Sequence, residues 1–74
     1  MDTYDRIEKL YEAQEKLQEA LRLIMEATSG TDVQELVRGY TRPAIQQVTF
    51  NDGDYFGRNP GSVERLIAKL EQEA

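Results

Sequence analysis

Neither cysteine nor histidine occurs among the 74 residues. Disulfide staples, thiolate or imidazole metal sites and any nucleophile paired with a histidine base are therefore excluded. Tryptophan is also absent, and proline occurs twice. The apolar runs are only a few residues long, against the roughly 20 that cross a bilayer, and no apolar stretch follows the N-terminus as in a secretory leader. The expectation is a soluble cytoplasmic chain with no cofactor and no membrane contact.

Basic side chains are the scarcer sign, 9 against 14 acidic, for a formal net charge of −5. The imbalance is local. Residues 1–37 carry four basic and nine acidic side chains, whereas residues 38–74 carry five of each. Because binding to phosphate backbones depends on Lys and Arg displacing counterions, direct nucleic-acid binding is not expected. The length gives one domain, 1–74, and a chain this short buries only about 60% of the surface its unfolded form exposes. Area burial then nearly cancels against ordering entropy, so a small domain without staples leans on a partner.

What is present is helical patterning. Ile7, Leu10, Gln14, Leu17, Leu21 and Ile24 form a stripe that predicts one helix over about 4–28, with Gln14 its single polar member. Asp2 or Thr3 is placed to cap its start, and Gly30 to end it. Ala13, Ala20 and Ala27 flank the stripe on one side, and Tyr4, Tyr11 and Met25 on the other. The spacing serves either an intramolecular core face or a self-associating coiled coil. On the solvated side, Asp5 with Lys9 and Glu12 with Lys16 are acid-before-base pairs four apart. Thr31 and Gln34 match a capping box, predicting a second helix over about 32–41, which Pro43 stops or kinks near Thr41. Arg38 and Arg42 form the only local basic cluster.

The stretch 44–50 is rich in β-formers and meets Asn51-Asp52-Gly53-Asp54, then Tyr55 and Phe56. Asp-Gly suits a type I′ turn, so a two-stranded hairpin is predicted over about 45–57. Phe50 then pairs with Tyr55, and Val48 joins them on a core-facing side, while Ile45 and Phe56 point the other way. Finally Val63, Leu66, Ile67 and Leu70 form one face of a helix predicted over about 62–72, capped by Ser62, or by Asn59 with Pro60 in the first turn. The expected fold class is α+β: a long N-terminal helix, a short second helix, a two-stranded antiparallel hairpin and a C-terminal helix.

Chemistry-bearing motifs fail on inspection. Asp52, Asp54 and Gly57 fit the first, third and sixth places of a calcium loop, but Phe56 and Val63 stand where the fifth and twelfth ligands belong. Ser29 and Ser62 lie at predicted helix boundaries. The paired carboxylates sit on a solvated helix face with nothing to raise a pKa. No catalytic, cofactor-binding or metal-binding residue is assigned, and no enzyme activity is expected.

The order of helix, hairpin with an Asp-Gly turn and serine-capped helix resembles the gpW-like head-to-tail joining proteins of tailed phages. Residues 48–56 and 62–71 carry the likeness. The resemblance implies a structural connector subunit in virion assembly, one that binds a portal ring, helps retain packaged DNA and presents a docking surface to the tail. It also implies localisation to the virion after the cytoplasm. Exposure of an apolar pair on a small sheet is costly, so Arg42, Ile45, Phe56 and Arg58 are the expected partner-binding surface. Two rivals stand beside this reading. One is a small helical adaptor or regulator that dimerises through the stripe from Ile7 to Ile24. The other is an acidic nucleic-acid mimic presenting Asp5, Glu8, Glu12, Glu15, Glu19 and Glu26.

Overall fold

The computed structural model describes residues 1–50 and 59–73. Helix α1 (Thr3–Thr28) begins where Asp2, in extended conformation, accepts the amide of Asp5 on Oδ1 at 2.9 Å. It ends where Gly30 takes a φ of 78°, a left-handed value that a side chain disfavours. The Thr28 carbonyl, left over at the helix end, accepts both the amide of Thr31 at 3.1 Å and its hydroxyl at 2.6 Å. Ile7, Leu10, Gln14, Leu17, Leu21 and Ile24 are all half-buried, the side of α1 that meets the rest of the chain.

The second helical segment starts later than the capping-box spacing predicts. The Thr31 hydroxyl bonds back to α1, so it does not cap the new helix, while the Gln34 side chain accepts the amide of Gly30 at 3.1 Å. Helix α2 (Gln34–Leu36) passes directly into a π-helical turn (Val37–Thr41) and then into α3 (Arg42–Phe50). Of the two outcomes expected at Pro43, a stop does not occur: helix continues through Phe50. In an α-helix the proline ring would collide with the carbonyl four residues back, that of Gly39. The wide turn instead closes with the Arg42 amide on the Val37 carbonyl, five residues back, and the inserted residue absorbs the proline.

The fold is helical where described, not α+β as expected. The described residues contain no strand, and 44–50, read as the first hairpin strand, lies wholly within α3. Its β-branched residues are accommodated because Thr41, Ile45 and Thr49, spaced four apart, form one inward face. Thr49 is 1% exposed and donates its hydroxyl to the Ile45 carbonyl at 2.6 Å. The predicted sides are also exchanged: Ile45 is half-buried, whereas Val48 and Phe50 are exposed. The turn and second strand, 51–57, lie outside the described residues.

Helix α4 (Val63–Glu73) opens with the Ser62 hydroxyl accepting the amide of Arg65 at 3.2 Å. Asn59 does not cap it. Its Oδ1 accepts the Gly61 amide at 3.0 Å and its Nδ2 donates to the Gln47 carbonyl at 3.0 Å, tying the start of α4 to the end of α3. Helices α1, α3 and α4 all touch one another, and α3 runs back along α1 so that Gln14 donates to the Thr49 carbonyl at 3.3 Å. The buried apolar core among the described residues is small: Val37, Val63 and Ile67. The molecule is thin, 46 × 25 × 11 Å, with a radius of gyration of 14.4 Å. A compact chain of this length has a radius of about 11 Å.

Candidate functional site

Between the C-terminal half of α1 and α3 lies an open cleft of about 470 Å³. Its floor is built from Leu21 on α1 and Ile45 and Thr49 on α3, and its walls carry Met25 and Phe50. The helical period accounts for the placement. Leu21 and Met25 are four apart, as are Ile45 and Thr49, so each pair stacks on one side of its helix. Met25 and Phe50 remain 43% and 42% exposed.

One charge of each sign stands on the rim, Arg22 and Glu26, bonded to each other at 2.7 Å. Arg22 also bonds Glu19, and this hydrogen bond holds the Glu19 carboxyl below the usual range for a glutamate. The same contact raises the Arg22 guanidinium. A smaller pocket of about 120 Å³ adjoins the cleft across Met25 and Ser29 and is bordered by Val37, Arg38 and Arg42. Arg38 is bonded to Glu35 at 3.1 Å.

Of the residues expected to meet a partner, Arg42 is exposed at that smaller pocket and Ile45 lies in the cleft floor rather than on an outer sheet face. Phe56 and Arg58 lie outside the described residues. The stripe on α1 faces α3 and α4, and Leu21 is its member in the cleft. The Gln14 side chain, polar in that stripe, has its partner in the last turn of α3.

Met25 and Phe50 were legible only in part. Met25 appears as a flank of the stripe, but the local sequence predicts a strand at Phe50, and the cleft exists only because 42–50 is helical. The signal for it is the Thr41, Ile45, Thr49 spacing, which a hydrophobic pattern undercounts because two of the three are threonines.

Among the described residues no three acidic side chains gather as a metal site, and no helix is long and apolar enough to cross a membrane. No protein-family model, curated protein or solved structure matches the chain.

Proposed function

We propose that the chain is a protein-binding module, a small helical adaptor whose α1–α3 cleft receives an apolar surface of a partner. The observation that carries this reading is the pair of large apolar side chains, Met25 and Phe50, left open above an apolar floor. A monomer leaves such patches open at a cost in aggregation, and they mark interaction sites. The α1–α3 cleft takes the place of the hairpin surface, since 44–50 is helical.

Less supports the head-to-tail joining reading. Of the residues that carry the resemblance, 48–50 belong to a helix, while the serine-capped helix after residue 62 keeps its expected form. The nucleic-acid mimic is disfavoured by Arg22, which bonds both Glu19 and Glu26 and breaks the acidic row.

Photo-crosslinking tests the module. With benzoylphenylalanine in place of Phe50, a discrete protein adduct is expected, whereas the same group in place of the exposed Tyr4 forms none. Identical patterns at the two positions would refute a binding role for the cleft.

A further inference from the structure

We infer that the occupant of the α1–α3 cleft is the same cleft on a second copy of this chain, paired about a two-fold axis. The inference rests on the cleft being a protein-binding surface, and area, shape and charge point to the partner.

The first is area. Folded monomers of this mass, 8.5 kDa, expose about 4,650 Å² by the usual scaling with mass. This chain exposes 5608 Å². The surplus of roughly 950 Å² is close to the ~800 Å² that each partner contributes to a standard interface.

The second is shape. The molecule is 11 Å thick, and among the described residues no helix besides α1 and α3 lines their shared cleft. Helices pack with axes about 8–10 Å apart, which is the depth a second layer of the same kind supplies. Domains are built from two packed layers around one core, and the dimer completes that arrangement.

The third is charge. The acidic surplus lies within residues 1–37, so like charges oppose self-association along the solvated side of α1. The cleft is an exception. Its charged lining is Arg22 and Glu26, neutral as a pair and already bonded to each other. A neutral apolar surface offers nothing to select a basic or an acidic partner, and it does not repel its own copy. A two-fold interface requires self-complementarity, which the cleft has in kind: projecting side chains, Met25 and Phe50, beside a groove that can receive them.

Sedimentation equilibrium on the whole chain tests the inference. At about 100 μM, far above a micromolar Kd, the chain is expected to sediment at twice the 8.5 kDa of one copy. The double variant Met25→Glu, Phe50→Glu is expected to sediment at the mass of a single chain with its far-ultraviolet helical signal intact. Leu23→Glu, on a different side of α1 beside Glu19 and Ala20, should leave the dimer in place. A wild-type monomer would overturn the second copy as occupant, while the crosslinking from Phe50 would still decide separately whether the cleft binds another protein. A double variant that stays dimeric would also overturn it, because the interface would then lie elsewhere. Should the double variant unfold, the absence of cysteine provides another route. Met25→Cys is expected to join two copies through a short bis-maleimide far faster than Leu23→Cys, and equal rates would overturn the proposal.

Discussion

Ser62 has no exposed surface, and its hydroxyl accepts the amide of Arg65 at the start of α4. Removing a serine cap costs about 1 kcal/mol, so Ser62→Ala should lower the unfolding free energy by that amount in urea titration. On an exposed helix start aspartate would replace serine without loss. At this buried position a carboxylate gives up its hydration, so Ser62→Asp should be more destabilising than Ser62→Ala, the reverse of the usual ranking. Caps were legible in part, because a cap and its amide are neighbours in the chain: Asp2 and Ser62 are each one of the two candidates the sequence offers, whereas Thr31 bonds back to Thr28 and caps nothing. The polar residues that hold helices together were not. Gln14 reaches a carbonyl 35 residues away and Asn59 one 12 residues away, and no local pattern signals either partner.

At the scale of elements, the exposed glycines Gly30 and Gly39 behave oppositely. Gly39 lies in the π-helical turn with nothing within 4 Å of where a Cβ would stand. A methyl group there meets no neighbour and reduces the freedom of the unfolded chain, so Gly39→Ala should stabilise by about 0.5–1 kcal/mol. Gly30→Ala also has space, but a φ of 78° forces the alanine into left-handed backbone, at a cost of roughly 1–2 kcal/mol. Thermal unfolding of the two variants should shift in opposite directions. Equal shifts would mean that the conformations at the end of α1 and before Pro43 differ from those described.

These same elements show where local reading stops. α1 and α4 were legible because three- and four-residue spacing of leucine and isoleucine has one interpretation. The segment 44–50 was not, because β-branched and aromatic residues favour a strand locally, whereas Thr49 bonded to Ile45 and packed under Gln14 favours a helix. Tertiary contact decided the matter. As a stop signal Pro43 misleads for a related reason, since a π-helical turn removes the clash on which an end to the helix depended.

For the whole molecule, the question is how a chain with three buried apolar side chains among its described residues stays folded. Stability of a protein completed by its own copy is linked to concentration: unfolding releases two chains from each dimer, so mass action favours the folded pair as concentration rises. An increase of about a hundredfold adds roughly 2.7 kcal/mol per dimer. Spread over the unfolding entropy of two such chains, that moves Tm upward by roughly 5–10 °C. Differential scanning calorimetry over this concentration range should resolve the shift in the wild type and find none in the variant Met25→Glu, Phe50→Glu. The variant should also melt below the wild type, because it keeps the open cleft without the second copy that covers it. A wild-type Tm independent of concentration would mean that the open cleft costs the single chain little, and that the packing of α1, α3 and α4 suffices to hold it folded.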